Sequence, residues 1–530
     1  MKKLMTIFLI IGISFSLISC YSDLDPDPTV DPTVVPTDPI DPSDPVDYQE
    51  LLTGFKNDIL SEIPAMINQS FSLPTFNDVI VSYALGDKSF TDTFVYSAPF
   101  FDVEQTLLFS LRKGNTVVTG SKTFLLVAPD SGRNETKIYL NIPGHIDDVN
   151  TEDYVAASVL VTTNINGEIE VEHQTTAAQL RSRGNSTQMF PKKPYRLRFD
   201  QKTSILGMPE AKNYVLLAEY SDKSLIRNVI THKMSTLIDG IDYSLKTRFI
   251  ELYVNDEYHG VYVLTEQVEI YDSKLTFESI PGVYNTGFLI ELDHRYNSSI
   301  DQAGFDWVIV RGLPYNIKEP DSGDPLFTTL HHDYIFEYII ATENALVAKT
   351  GYESLIDINN WVAYFMIQEI VKNVDVGWSS VFMHKAPGGK LMFGPLWDFD
   401  LAYGNADYID YGVENFYGMR EYKNKMFRLM MAIPEVRTLF RNAVQDFYID
   451  TLPVMLELIT VLGEGVKEMA DRNFQRWTIL GEYVWPNPYE MWVRASYRNQ
   501  IVYVHDYLED RLEWLNNAVK TSNYNAGNFN

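Results

Sequence analysis

Cysteine is almost absent from the chain, which has one, Cys20, in 530 residues. An intramolecular disulfide is therefore excluded, and the fold must be stabilised by packing. Long apolar runs are also scarce, because only the N-terminal segment contains one. Positive charge is in short supply: 43 Lys and Arg face 71 Asp and Glu, a formal net charge of −28. Nucleic-acid backbones and anionic membrane surfaces repel such a chain, so we expect no nucleic-acid partner.

Residues 1–20 have the layout of a bacterial lipoprotein signal peptide. Two lysines precede an apolar run over residues 4–18 that is short for a membrane-spanning helix. The run ends in Leu17-Ile18-Ser19-Cys20, which resembles a lipobox. The sequence therefore predicts an exported lipoprotein with Cys20 as its lipidated first residue. We expect it to face the extracellular or periplasmic side of the cell membrane, with the lipid as its only membrane attachment.

Composition divides the rest of the chain into three parts. Residues 21–47 alternate Asp and Pro with small residues, which predicts a disordered tether. Residues 48–128 contain short runs rich in Val, Phe, Tyr and Thr between turn signals, which is typical of a small immunoglobulin-like β-sandwich. Residues 129–530 mix the apolar spacing of strands with that of helices. They contain a predicted hairpin over residues 249–264 and mainly helices after residue 434. The predicted fold class is α+β.

Carboxylates stand at both ends of a second predicted hairpin. Asp375 follows a helix predicted over residues 358–372, and Asp398 and Asp400 follow the two strand candidates, which a Gly-Gly turn joins. The ends of a hairpin lie close together, so these carboxylates can face one cleft. They would suit a divalent metal site, the acid/base pair of a glycosidase, or the kinase arrangement of one aspartate for the acceptor hydroxyl and one for the metal on ATP.

Five sequence blocks resemble the CotH (spore coat protein H) kinase family, in the order of that family, over about residues 135–460. The blocks are RGNST (183–187) with PKKPYRLRFD (191–200), LLAEYSDKSLIRN (216–228), ELYV (251–254) through GVYVLTEQV (260–268), GFLIELD (287–293) and GPLWDFDLAYG (394–404). The resemblance implies an atypical protein-kinase-like domain that is exported and transfers the γ-phosphate of ATP to protein serine, with Mg²⁺ or Mn²⁺. It also implies that Asp375 is the catalytic residue, that Asp398 is a metal ligand and that Asp400 is a second one.

One position departs from the kinase pattern. Conventional kinases and some family members carry an asparagine five residues after the catalytic aspartate, where it binds metal, and here that residue is Ser380. A serine hydroxyl is a weaker ligand for magnesium, so the departure bears on metal affinity.

The ATP side of the predicted site needs a cation and a close backbone approach. The turn with Arg183 and Ser186 can supply the backbone, and Lys193 can supply the cation. Glu266 is our first candidate for the acid that holds this lysine. The rivals that the sequence leaves open are Lys192 and Lys318 for the cation, and Glu269, Glu219 and Glu291 for the acid.

The predicted function is that of an exported, lipid-anchored protein kinase with ATP, a divalent cation and acceptor serines of surface or coat proteins as partners. The alternative is a non-catalytic surface binding or structural protein that keeps a kinase-like scaffold. A glycan-active enzyme is a third reading, which the paired carboxylates and the 33 Tyr and 8 Trp favour.

Overall fold

The computed structural model describes residues 47–270, 275, 283–297, 304–417 and 425–521. The predicted signal peptide, the lipidation site Cys20 and all but the last residue of the predicted tether lie outside this part of the chain. Within it, no helix is both long enough and apolar enough to cross a membrane. Helices and strands both contribute, as the α+β prediction required.

The N-terminal part consists of one helix and two small sheets. Its elements are α1 (Gln49–Glu62), β1 (Met66–Ile67), β2 (Phe71–Ser72), β3 (Ile80–Leu85), β4 (Lys88–Phe90), β5 (Thr93–Phe94), β6 (Val103–Lys113) and β7 (Thr116–Leu126). The larger sheet has the order β1-β7-β6-β3-β4, and β2 pairs with β5. The immunoglobulin-like sandwich is not confirmed, because α1 buries Leu52 and Ile59 in the core and β1 runs parallel to β7. The pattern of apolar runs did not reveal α1, since few of its residues are buried.

The middle part is a closed seven-stranded barrel with a helix inserted between two of its strands. Its elements are β8 (Lys137–Asn141), β9 (Val155–Ile165), β10 (Glu168–Ser182), β11 (Tyr195–Thr203), β12 (Ala211–Leu217), α2 (Arg227–Thr236), β13 (Thr247–Val254) and β14 (Glu257–Glu266). The strand order is β10-β11-β12-β14-β13-β8-β9, and β9 closes onto β10. The predicted hairpin over residues 249–264 is confirmed as β13 and β14, with both turn residues in the left-handed conformation that such tight turns require.

The C-terminal part combines a five-stranded sheet with a group of helices. Its elements are β15 (Phe288–Leu292), β16 (Trp307–Val310), β17 (Leu313–Glu319), α3 (Thr329–Ala348), α4 (Ile358–Val371), β18 (Val381–Lys385), β19 (Met392–Phe393), α5 (Lys425–Met431), α6 (Pro434–Asp446), α7 (Leu452–Arg476), α8 (Tyr489–Trp492) and α9 (Tyr497–Lys520). The sheet order is β16-β17-β15-β18-β19. The predicted helix over residues 358–372 and the helical character after residue 434 are confirmed. The kinase-like arrangement of the whole is not confirmed, and the domain boundaries stay predictions.

The start of α2 is stabilised by a carboxylate rather than by a serine cap. Serine is a common N-cap residue, but Ser224 does not cap α2, which begins at Arg227. The carboxylate of Asp222 instead accepts hydrogen bonds from the backbone N–H groups of Ser224, at 2.9 Å, and Arg227, at 3.0 Å. It also accepts the Ser224 hydroxyl at 2.5 Å and forms a fully buried ion pair with the Arg227 guanidinium. One carboxylate thus satisfies more donors than a serine hydroxyl could.

Side-chain contacts join the N-terminal part to the rest of the molecule. The side chain of Asn166, in the turn between β9 and β10, accepts the backbone N–H of Met66 at 3.1 Å and donates to its carbonyl at 2.6 Å. In a second contact, the Lys233 ammonium of α2 lies 2.7 Å from Asp130 and 4.6 Å from the ring centroid of Phe100. Segments on both sides of the predicted boundary at residue 128 therefore pack against the barrel part.

Candidate active site

A cleft of about 880 Å³ is lined by both the barrel and the C-terminal part. Much of its wall comes from the loop 183–187, from the segment 217–221 that follows β12, and from the segment 374–401 that runs from α4 past β19. The volume falls within the range of small-molecule sites, so a nucleotide-sized ligand can be accommodated.

Asp375, Asp398 and Asp400 all line this cleft. Helix α4 ends at Val371, and the chain reaches Asp375 four residues later. Strand β18 then pairs antiparallel with β19, and this hairpin returns the chain to the same wall of the cleft. The predicted hairpin therefore brings the three aspartates together, while the roles that the resemblance implies for them stay predictions.

Ser380 and Asp398 are in direct contact. The Ser380 hydroxyl donates to Asp398 Oδ2 at 3.2 Å, and the Ser380 backbone N–H donates to Glu291 Oε1 at 3.1 Å. Both residues have left-handed backbones, with φ of 63° for Ser380 and 69° for Asp398. That conformation costs about 1–2 kcal/mol for a residue other than glycine, and such strain is concentrated at functional sites. Ser380, which stands where conventional kinases have a metal-binding asparagine, therefore contacts the predicted metal ligand Asp398.

Negative charge is crowded on this wall. Withdrawal from water raises the pKa of the Asp400 carboxyl well above its usual range, and the nearby charges of Asp398 and Asp375 raise it further. Like charges this close disfavour one another unless a cation lies between them. Carboxylate oxygens are the ligands that Mg²⁺ prefers, so the donor set fits a divalent cation.

Glu219 stands on the facing segment and is 5% exposed. Its Oε1 accepts a hydrogen bond from Asn228 Nδ2 at 2.9 Å, whereas its Oε2 is buried without a hydrogen-bond partner in the part of the chain that the structure describes. Burial raises the pKa of Glu219 well above its usual range, as do the charges of Asp222 and Asp400. An orphaned buried carboxylate oxygen beside the aspartates also fits a cation site.

Lys318 and Glu291 form an ion pair in the cleft, with 2.8 Å between Nζ and Oε2. Strands β15 and β17 pair Leu289 with Glu319 but Ile290 with Ile317, so Lys318 is the extra residue of a β-bulge. A bulge re-aims the side chain of its extra residue. Arg295 adds a second cation, at 2.7 Å from Asp293 Oδ1 and 3.7 Å from Glu291 Oε1. Both members of the Lys318 pair were among the rivals that the sequence left open.

Arg183 and Ser186 also line the cleft, as the sequence predicts. The Arg183 guanidinium lies 5.1 Å from the ring centroid of Trp397. Withdrawal from water lowers the pKa of Arg183 to about 10, and the Asp398 carboxylate counteracts this. Gly184 has a φ of 96°, and a Cβ there would lie 2.1 Å from Thr187 Oγ1. The turn thus depends on glycine.

The two remaining predictions for the ATP side fall elsewhere. Lys193 lines a second cleft of about 390 Å³ rather than the main one. Glu266, near the end of β14, does not line the main cleft either and accepts hydrogen bonds from the Tyr243 hydroxyl at 2.5 Å and the Lys246 backbone at 2.7 Å. Of these two neighbouring lysines, Lys192 lines the main cleft and Lys193 does not.

Lys192 lies between the two clefts and is buried. Its ammonium donates to the Val261 carbonyl and, at 3.0 Å, to Asn473 Oδ1. Burial lowers the pKa of Lys192 to about 7, and Glu219 opposes that shift. Lys192 is therefore a cation near the site whose hydrogen bonds go to the barrel and to α7.

Aromatic side chains that the sequence reasoning missed surround the aspartates. Tyr408 and Trp485 stack with their ring centroids 5.9 Å apart, and Trp378 stacks on His294 at 5.4 Å. Tyr408, Trp485 and Trp378 all line the cleft and remain partly exposed. Only Trp378 carried a sequence signal, since it lies three residues after Asp375.

The family model described as CotH kinase protein matches residues 180–515 of the chain. The match begins just before the loop with Arg183 and ends within α9, so it contains every residue of the main cleft. A search of curated proteins finds no match to the chain.

Proposed function

Since the chain belongs to the CotH kinase protein family, we propose that it is an ATP-dependent protein kinase that phosphorylates serine. The observation that carries the proposal is the convergence of Asp375, Asp398 and the Lys318–Glu291 pair on one cleft. Phosphoryl transfer needs positioning and charge stabilisation more than covalent participation by the protein, and these residues suit both tasks.

Asp375 is the residue proposed to orient the acceptor. Its carboxylate would accept a hydrogen bond from the serine hydroxyl and direct the oxygen toward the γ-phosphate. Asp398, with Asp400, would hold Mg²⁺ or Mn²⁺. When bound, such a cation neutralises the charge of the phosphate oxygens.

The phosphates of ATP would lie against the cations of the cleft. Lys318 is held by Glu291 and is 34% exposed, so it can reach a ligand without losing its partner. Arg183 and the turn with Ser186 offer a guanidinium and a close backbone approach in the same cleft. Charge-assisted hydrogen bonds of this kind are the strong ones in phosphate recognition.

The test is transfer of labelled γ-phosphate from ATP to the chain itself and to casein, a serine-rich acceptor. Asp375→Asn and Asp398→Asn should each lower the rate at least about a hundredfold, because general acid–base and charge-stabilising groups contribute on this scale. Asp450→Asn, an exposed residue just before α7, is the matched control. Transfer that survives both cleft variants would falsify the assignment.

The alternative of a non-catalytic binding protein is favoured by one observation, the serine at position 380. If Ser380 weakens metal binding, the cleft would bind nucleotide without transferring phosphate. Binding of ADP with no transfer by the wild-type chain would select this reading.

Lipid anchoring through Cys20 and export form a separate proposal, which rests on the pattern of residues 1–20. Expression in a bacterium with an azide-labelled fatty acid should label the wild-type chain but not Cys20→Ser. Equal labelling of the two would contradict the anchor.

A further inference from the structure

The segment 219–221 is held against the segment 398–400 by hydrogen bonds. Asn228 bridges them, since its Nδ2 donates to Glu219 Oε1 at 2.9 Å and its Oδ1 accepts the Phe399 N–H at 2.8 Å. The backbone donor fixes which end of the Asn228 amide faces Glu219, because only the oxygen can accept the Phe399 N–H.

Four further hydrogen bonds reinforce this arrangement. The Ser221 hydroxyl donates to Asp400 Oδ2 at 3.4 Å, and Asn405 Nδ2 donates to both the Ser221 carbonyl, at 3.2 Å, and the Asp400 carbonyl, at 2.7 Å. Asn487 donates to the same Ser221 carbonyl at 2.8 Å. A network of hydrogen bonds therefore holds the segment that carries Glu219 against the segment that carries Asp400.

Within this network, one oxygen has no function in the fold. Glu219 Oε2 is buried in the wall of the cleft and has no hydrogen-bond partner among the residues described. The cation beside it, Lys192, donates instead to the Val261 carbonyl and to Asn473. A buried carboxylate oxygen without a partner is costly, so its position calls for a ligand.

We propose that Glu219 holds a second divalent cation and that Asp400 is shared between this cation and the one assigned to Asp398 and Asp400. The ligand class is a hard cation, Mg²⁺ or Mn²⁺, because the donors are carboxylate oxygens and the Ser221 hydroxyl, a neutral oxygen, contacts one of them. The inference rests on the proposed function for the first cation. It adds Glu219, from the barrel part, as a ligand, so that metal binding would join the two walls of the cleft.

The test counts Mn²⁺ ions bound to the purified full chain, without nucleotide, from the paramagnetic resonance signal of free Mn²⁺. Glu219→Gln should bind one fewer Mn²⁺ per chain than the wild type, and Asp400→Asn, which removes a shared ligand, should bind at least one fewer. The glutamine keeps the acceptor for Asn228 and removes the charge, so the network is retained. Glu468→Gln, an exposed residue on α7, should bind as many ions as the wild type.

Thermal unfolding provides a second readout. Without metal, Glu219→Gln should be at least as stable as the wild type, since a buried carboxylate oxygen has lost its charge. With Mn²⁺, the melting temperature of the wild type should rise more than that of the variant, because ligands stabilise the state that binds them.

The inference is overturned if Glu219→Gln and Asp400→Asn both bind as many Mn²⁺ ions as the wild type, or if the wild type binds none beyond those that Asp398→Asn removes. Phosphate transfer, measured on the same samples, separates this result from the proposed function. If Glu219→Gln binds one ion fewer than the wild type but the wild type transfers no phosphate, the second cation site is supported and the proposed kinase activity is refuted.

Discussion

Lys318 and Lys193 differ at the residue scale in what surrounds them. Lys318 lines the main cleft and pairs with Glu291, whereas Lys193 lines the smaller cleft, and its carbonyl accepts the Tyr262 hydroxyl at 3.1 Å. The β-bulge in β17 directs Lys318 toward Glu291. A phosphate in the main cleft would therefore meet Lys318.

We predict that Lys318→Met weakens ADP binding by about 10–100-fold, because a hydrogen bond to a charged group contributes about 1.5–3 kcal/mol. Glu291 keeps its bond from the Ser380 N–H, so the wall should remain folded. Lys193→Met is the matched control and should bind ADP as the wild type does. Calorimetric titration with ADP and Mg²⁺ measures both, and a larger loss for Lys193→Met would reverse the assignment.

His232 provides the second prediction at this scale. Its ring is buried in a T-shaped contact with Phe399, at 6.2 Å between centroids, and neither ring nitrogen has a hydrogen-bond partner in the described part of the chain. Burial lowers the pKa of His232 to about 4. The unfolded chain binds a proton near the ordinary pKa of about 6.5, whereas the folded chain does not until about 4, so stability falls as the pH decreases through this window.

His232→Leu should remove this contribution, which amounts to about 3 kcal/mol of unfolding free energy between pH 7 and pH 4. Urea denaturation at both pH values measures the difference for the wild type and the variant. The same loss of stability in both proteins would mean that His232 does not titrate as its burial implies.

At the scale of elements, the start of α2 depends on Asp222 more than on any serine cap. Asp222→Ala would leave the fully buried Arg227 guanidinium without its carboxylate and remove the acceptor of two backbone N–H groups. We predict a loss of about 3–5 kcal/mol of unfolding free energy, the range for breaking a buried ion pair. Asp357→Ala removes an ordinary cap of α4, a bond to Asn360 N at 3.0 Å, and should cost about 1 kcal/mol. Equal losses in chemical denaturation would contradict the special role of Asp222.

The sequence could predict the elements whose signals are local. The hairpin of β13 and β14, helix α4 and the hairpin between Asp375 and Asp398 each follow from apolar spacing and turn residues. The bulge at Lys318 has no such signal, because it depends on how β17 registers with β15. The same limit applies to Glu219, whose place is set by Asn228 and by residues far along the chain.

At the scale of the whole molecule, one glycine contact joins the segment after β7 to helix α7. A Cβ on Gly132 would lie 2.7 Å from the Gly465 carbonyl oxygen and 2.8 Å from Val466 Cα, so the backbones touch. Gly132→Ala must push them apart, and we predict a loss of about 1–3 kcal/mol, as for other overpacked sites. Gly54→Ala, in α1 with open space around it, should be neutral or stabilising. Thermal unfolding compares the two variants. A melting temperature of Gly132→Ala equal to that of the wild type would show that the two backbones can move apart without loss of stability.

The closure of the barrel bears on how the molecule behaves when copies are crowded. Its longest strands, β9 and β10, pair with one another and with β8 and β11, but β11 pairs with β10 only from Ala178 onward. Over residues 168–177, β10 therefore has β9 on one side and no paired strand on the other among the residues described. In the N-terminal sheet, the edge strands β1 and β4 are only two and three residues long. Unpaired edges are the templates on which strands of other chains assemble into fibrils. The unpaired edge of β10 carries the exposed side chains of Glu168, Glu170 and Glu172, so charge rather than closure opposes amyloid-like growth from this part of the barrel.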